Sequence, residues 1–224
     1  MKEFVAGRVW LVEHPVRFAG GSLHTRMTIL RLDDERLLLH SPVPIDDELR
    51  ASILRLGDVE AIVAPSNCHH LFIADAQRAF PNVPTYAVDG LSTKRPDLAL
   101  APFPEDAWAR ELAHVRIGNR IMHEQVVLHR ASRTVVAVDL VEHMTDETPG
   151  TDRMMRFWMK LFGMWNKARP APEYRLFTRD RSAAREGIAT ILAWDFDRMV
   201  IAHGEPFERD AKAALREAWA FVAS

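Results

Sequence analysis

Scarcity narrows this chain before any motif does. Cysteine occurs once, at Cys68, so no internal disulfide can form, which fits a reducing compartment. Nowhere does an apolar run approach the ~18 residues that a membrane-spanning helix needs, so no membrane span is expected. The first residues, MKEFVAGRVWLVEHPV, also lack the unbroken apolar stretch and small-residue cleavage site of a secretory leader, and a cytoplasmic location is the expectation. Charge of one sign is missing too. A net charge of -2 and a pI near 6.6 offer no basic field, which argues against nucleic acid as a partner. Glycine-rich phosphate loops, G-x-S-x-G elbows and solenoid-length repeats are absent, so nucleotide cofactors and serine-hydrolase chemistry lose their usual support.

What the chain has is apolar content, 48% over 224 residues, enough to bury the core of one domain spanning residues 1–224. Several short apolar runs end on a histidine or an aspartate. The segment from Glu60 to Phe80, EAIVAPSNCHHLFIADAQRAF, reads as a buried strand, a polar loop and an amphipathic helix, with His69 and His70 in the loop. Leu37 to His40 closes on His40 before Ser41 and Pro42 stop the strand. Thr134 to Leu140, TVVAVDL, is β-branched until Asp139 interrupts it. Met199 to His203, MVIAH, ends on His203 with Gly204 next, as a tight turn requires. Imidazoles and a carboxylate at strand ends are donors that zinc, iron or manganese accept, provided the ends converge.

Between these landmarks the pattern predicts three early strands, Arg8–Val16, Thr25–Leu32 and Arg36–His40, joined by hairpin-like turns. A helix follows over DELRASILRLG, with Asp46 as N-cap and Gly57 at its stop. Thr85–Val88 reads as a strand and the stretch from Gly90 to Pro104 as loop. Val115–Ile117, Ile121–Met122 and Gln125–His129 read as short strands. A helical insertion of about residues 146–194 precedes the last core strand, with Ser182 as a helix cap. A final helix, Glu208 to Val222, carries Ala211, Leu215, Ala218 and Trp219 on one face. The insertion contains Met154 to Trp165, MMRFWMKLFGMW, which fits a cover over the sheet mouth, a homodimer contact or a helix lying on a membrane surface.

The segments VEHPVRFAG, TRMTILRL, LLLHSPVPIDDELR, IVAPSNCHHLF, EQVVLHRASRTVVAVDL and VIAHG, in that order from Trp10 to about Gly204, resemble the family called domain of unknown function 4336. More broadly the chain resembles the metallo-β-lactamase-like superfamily. That resemblance implies an α/β (α+β) fold, a four-layer αββα sandwich, and a metal-dependent hydrolase. Asp139 stands where the superfamily has its metal-bridging aspartate, and His203 matches its final histidine. The chain departs from the superfamily's H-x-H-x-D-H motif: with His69 at the second histidine, Asn67, Leu71 and Phe72 occupy the first histidine, the aspartate and the last histidine. The glycine-histidine ligand has no clear match, Met122-His123-Glu124 and His129 lying in its region.

The resemblance therefore implies a reduced site, one divalent metal (zinc, iron or manganese) held by His69 or His70 with Asp139 and His203, and Glu124 or His123 nearby, acting on an ester, thioester, lactone or phosphoester. His70 or Glu124 would serve as base, since Leu71 replaces the usual water-orienting aspartate. The alternative is a non-catalytic binding module of the same scaffold, in which these residues form a hydrogen-bonded network. Residue by residue, His40 and His129 fit backbone-bonded structural histidines. Asp139 could pair with Arg133 or Arg26, and Cys68 reads either as a small buried thiol or as a nucleophile or ligand.

Overall fold

The computed structural model describes residues 1–222. Its first half is a seven-stranded sheet whose strands follow chain order: β1 (Lys2–Val5), β2 (Val9–Phe18), β3 (Gly21–Arg31), β4 (Arg36–His40), β5 (Asp58–Ala64), β6 (Thr85–Ala87) and β7 (Ala101–Pro102). The first four strands pair antiparallel through short turns. From β4 onward pairing is parallel, because each return passes through a helix: α1 (Asp47–Leu54), α2 (Ile73–Ala79), then α3 (Leu91–Lys94). Asp46 caps α1, its carboxylate accepting from the Leu49 amide at 2.8 Å. The stretch from Gly90 to Pro104, expected as loop, holds α3 and the edge strand β7. Both are short, and four breakers in that stretch mask them.

A second sheet of four strands has the order β11-β10-β9-β8, with β8 (Leu112–Gly118), β9 (His123–His129), β10 (Thr134–Val136) and β11 (Arg198–Val200). β8 and β9 form a hairpin longer than the short strands expected, and Ile121–Met122 lies in its turn, where Asn119 accepts from the amides of Ile121 and Met122. β10 stops at Val136, well short of Leu140, so Asp139 stands beyond the strand in irregular backbone. β10 and β11 are parallel, and between them run α4 (Arg153–Leu161), α5 (Pro172–Phe177) and α6 (Arg181–Ala193). Asp180 rather than Ser182 caps α6, accepting from the amides of Ser182 and Ala183 at 3.0 Å. α7 (Ala211–Ala218) then buries Ala211, Leu215 and Ala218.

The strict alternation of side chains along a strand builds four layers. Leu37 and Leu39 of β4 and Ile62 and Ala64 of β5 face α1 to α3, packing with Ile53, Ile73 and Ala76. Their neighbours Leu38, Ala61 and Val63 face inward and meet Val127, Val136 and Val200 of the second sheet. Val126, Leu128 and Val135 face outward again, against Tyr174, Ile188, Ile191 and Trp219 of α5, α6 and the C-terminal segment. Each such buried aliphatic side chain stabilises the sandwich by roughly 1.5–3 kcal/mol, which is what holds two sheets face to face. The architecture is thus the αββα sandwich that the resemblance implied.

His40 and His129 share the inward parity of Leu38 and Val127, and both are buried at 1% exposure. His129 Nδ1 lies 2.8 Å from Ser132 Oγ, and burial pushes its pKa down to about 4. Above pH 6.5 the ring is neutral whether the chain is folded or not. As pH falls below 6.5 the unfolded ring takes a proton that the folded ring refuses until about 4, so stability drops across that window. Wild type should lose about 2 to 3 kcal/mol more than His129→Gln between pH 7 and pH 4.5, read from urea unfolding of both proteins at each pH. Equal losses would show that the ring is protonated in the folded state.

Candidate functional site

The loops after β5, β10 and β11 meet at one rim of the sandwich. There His69 Nε2 approaches Asp139 Oδ1 at 3.2 Å, and His203 Nε2 approaches the same oxygen at 3.7 Å. The two imidazole centroids are 5.1 Å apart, and one donor atom from each of the three residues lies within 4.8 Å of the others. The three form the floor of a cavity of about 630 Å³ whose walls are mostly apolar.

Each imidazole is aimed by a contact at its far nitrogen. His203 Nδ1 donates to the His24 carbonyl at 2.9 Å, which leaves Nε2 bare in the neutral ring and facing Asp139. His69 Nδ1 lies 2.9 Å from Ser41 Oγ. Ser41 adopts the left-handed region at φ +55°, uncommon for a side chain with a Cβ, and its amide donates to the Val63 carbonyl at 3.0 Å. Gly204 has φ +91°, and a Cβ there would sit 2.1 Å from the His143 carbonyl oxygen. Only glycine permits the turn that brings His203 to the rim.

Asp139 is fixed from behind by Glu124. The Glu124 carboxylate accepts from the amides of Val138 and Asp139, at 2.6 and 3.1 Å, and from the Tyr174 hydroxyl at 3.2 Å. Burial, then the charge of Asp139, pushes Glu124 up to about 7. Burial alone would raise Asp139 as well, but His69 by charge and hydrogen bond, and then His203, hold it below the ordinary carboxylate range. Burial works against charging His69, yet Asp139 outweighs it and the ring's pKa is raised. His203 is pushed down to about 4 by burial and then by His69. The two rings thus differ, one inclined to hold a proton and the other to offer its lone pair.

Of the residues singled out from the sequence, His69, Asp139 and His203 come together, and His70 and Glu124 stand apart from them. His70 lines the same cavity but lies outside the three-donor cluster, with Nδ1 3.1 Å from Arg95 Nη1. Burial, then Lys94 and Arg95, lowers its pKa. Glu124 faces the backbone and Tyr174 rather than the cavity. His123 is exposed at the start of β9. His40 and His129 lie inside the sandwich, and His40 Nε2 has no hydrogen-bond partner there. Neither expected arginine pairs with Asp139: Arg26 donates to Glu13 and to the Gly204 carbonyl, and Arg133 pairs with Asp195. Cys68 is exposed at the cavity rather than a buried thiol, yet partial burial and then the charge of Asp139 push its pKa up to about 11, which keeps it a thiol at neutral pH.

The positions that depart from the H-x-H-x-D-H pattern have other partners. Asn67 donates to the Ile121 carbonyl and accepts from the His123 amide, tying the loop to the β8–β9 hairpin. Phe72 packs edge-on against His14 at 5.2 Å, and Leu71 is 61% exposed on the cavity rim. Ser41, the His24 carbonyl and Tyr174 went unnoticed in the sequence. Ser41 had a signal, a hydroxyl directly after a strand-ending histidine, whereas a backbone carbonyl leaves no trace.

Solved structures carry the same arrangement of layers. The TMB-1 structure superposes with a TM-score of 0.66 at 9% identity, covering 99% of this chain and 97% of that one. A metallo-β-lactamase from Pontibacter korlensis gives 0.59 at 12% identity over 98% and 97% of the two chains. FIM-1 of Pseudomonas aeruginosa, a metallo-β-lactamase solved in its mono-zinc form, gives 0.60 at 13% identity over 98% and 94%. The fold is that of the metallo-β-lactamases. Residues 6–93 match the family model described as domain of unknown function (DUF4336), which takes in the first four of the motif segments quoted above. No curated protein sequence matches the chain. Among the described residues of this metallo-β-lactamase-like sandwich, no helix is long and apolar enough to cross a membrane.

The support behind the site is testable without knowing any ligand. Glu124→Ala would strand the buried amides of Val138 and Asp139 together with the Tyr174 hydroxyl, at a cost of about 2–4 kcal/mol in urea unfolding. Tyr174→Phe, which removes one donor and leaves the two amides paired, should cost about 1 kcal/mol. Equal effects of the two would mean that the amides do not depend on Glu124.

Proposed function

We propose that the chain is a metal-dependent hydrolase with a mononuclear site, its ligands being His69, Asp139 and His203. The observation that carries this is the convergence of two imidazole nitrogens and one carboxylate oxygen on a point at the floor of an apolar cavity. The donor set fits a divalent ion. Two histidines and a carboxylate are the composition of catalytic zinc sites and of non-haem iron sites alike. The two separations from Asp139, 3.2 and 3.7 Å, bracket the spacing of about 3.4 Å expected between ligand atoms around a tetrahedral zinc, and all three donors lie within 4.8 Å of one another. Each imidazole also has the outward partner that metal-bound histidines use to fix their orientation.

A divalent ion held here supplies a Lewis acid and a water of lowered pKa for attack on an ester, thioester, lactone or phosphoester. The chain's own residues do the rest. Ser41 and the His24 carbonyl aim the imidazoles, Glu124 holds the backbone that presents Asp139, and the apolar walls exclude bulk water from the floor. Leu71 cannot orient a water, and neither His70 nor Glu124 reaches the three donors. Glu142 also lines the cavity, and burial, then the charge of Asp139, drives its carboxyl well above the ordinary carboxylate range.

A second reading, a binding module without metal, is supported by the same short contacts: Asp139 shared between two imidazoles is already a satisfied network. Elemental analysis separates the two. Purified protein incubated with zinc, iron or manganese and then desalted should retain about one ion per chain, and Asp139→Ala or His203→Ala should weaken retention at least a hundredfold. Wild type that keeps no ion under any of the three metals would sink the hydrolase reading in favour of the module.

A further inference from the structure

Charge is segregated along this nearly neutral chain. Residues 152–181 hold eight arginines and lysines against three acids, a net +5, so a chain of net charge -2 leaves -7 for the remainder. The same segment holds Met154, Phe157, Leu161, Phe162, Leu176 and Phe177, all large, apolar and between 41% and 68% exposed. Its few acids are engaged or outnumbered. Asp152 caps α4, accepting from the amides of Met155 and Ser22, and Asp180 caps α6. Arg156 and Arg169 pair with Asp146 and Glu217 outside the segment, whereas Arg153, Arg175 and Arg179 have no ion pair among the described residues.

Helix α4 explains how such a surface is held in place. Met155 and Met159 face inward, onto Leu23, Met144 and Met164. Met154, Phe157 and Leu161, at spacings of three and four, form the outward stripe. Trp158 bridges the two faces: it lines the cavity, its indole N–H donates to the Ala19 carbonyl at 3.2 Å, and its ring lies 5.4 Å from Phe157. The β2–β3 turn that receives this bond carries Phe18, 63% exposed, beside Arg17. The apolar stripe is therefore continuous with the rim of the cavity.

We propose that this rim is a docking surface for an anionic lipid bilayer, with the outward stripe of α4 entering the headgroup region and the cavity mouth opening onto the membrane. A helix with apolar and aromatic residues on one side and flanking arginine and lysine fits a monotopic interfacial helix, and clustered cations are drawn to anionic headgroups. Charge decides against a second copy as the occupant. A two-fold dimer through this face would set the same +5 segment against itself, whereas a negatively charged surface complements it. The -7 remainder would be repelled from that same surface, so it orients the molecule with the mouth toward lipid. Docking depends on the surface and not on a bound metal.

The full chain should sediment with vesicles of phosphatidylcholine containing about 30 mol% phosphatidylserine, and at least tenfold less with phosphatidylcholine alone or in about 0.5 M salt. Phe157→Glu combined with Leu161→Glu should reduce sedimentation at least tenfold, while Leu54→Glu, at an exposed position on α1 away from the rim, should leave it unchanged. Unchanged circular dichroism of the double variant, whose side chains are exposed, separates lost docking from lost folding. No sedimentation with the anionic vesicles overturns the proposal, as does equal binding to neutral ones or indifference to the α4 changes. A dimer that the double variant dissociates, with no vesicle binding by wild type, would hand the surface to a second copy.

Discussion

A carboxylate with only 5% of its residue surface in water, Asp139, sets the terms for this end of the sandwich. Burying a carboxylate without compensation is prohibitive, so groups that can donate to it or carry positive charge must be brought to it. Here no arginine does so. The compensation comes from imidazoles on two other loops, and those loops must be placed to within a few tenths of an ångström to provide it. The left-handed Ser41, the glycine-only turn at Gly204 and the bond from His203 to the His24 carbonyl are all consequences of that placement.

A second buried carboxylate behind the first would ordinarily compound the cost. Glu124 escapes because it collects two amides and a hydroxyl, and because its raised pKa lets it share the burden with a proton while Asp139 remains charged. The pair therefore divides the work: one carboxyl organises backbone and the other faces the cavity. Environment makes that division, since nothing intrinsic to glutamate and aspartate distinguishes the roles.

How far this was legible in the sequence depends on the kind of interaction. Period-two and helical spacing depend on which face a side chain buries, and residues such as Leu37 to Leu39 or Ala61 to Ala64 announce that face directly. Strand-ending polar residues were equally plain, so His69, Asp139 and His203 could be named. Which neighbour would turn inward was not. His69 and His70 are adjacent, and the direction each faces is set by Ser41 on one side and Arg95 on the other, both distant in sequence. Glu124 reads from the sequence as a candidate base. Its partners, the 138–139 amides and Tyr174, become visible only when β9, the segment after β10 and α5 are side by side. Capping was misread at Ser182 for a simpler reason: Asp180, two residues earlier, competes for the same amides and accepts them with a full charge.

The departures from H-x-H-x-D-H bear on how many ions such a rim could hold. Two-metal sites need a second set of donors within about 4 Å of the first. The positions that the resemblance sets against further ligands are committed elsewhere: Asn67 to the β8–β9 hairpin, Phe72 to His14, Leu71 to the exposed rim. Those substitutions also change the character of the mouth. This rim presents Leu71, Phe18 and the aromatic face of α4. Apolar surface around the mouth leaves the Asp139 carboxylate dependent on its two imidazoles for compensation.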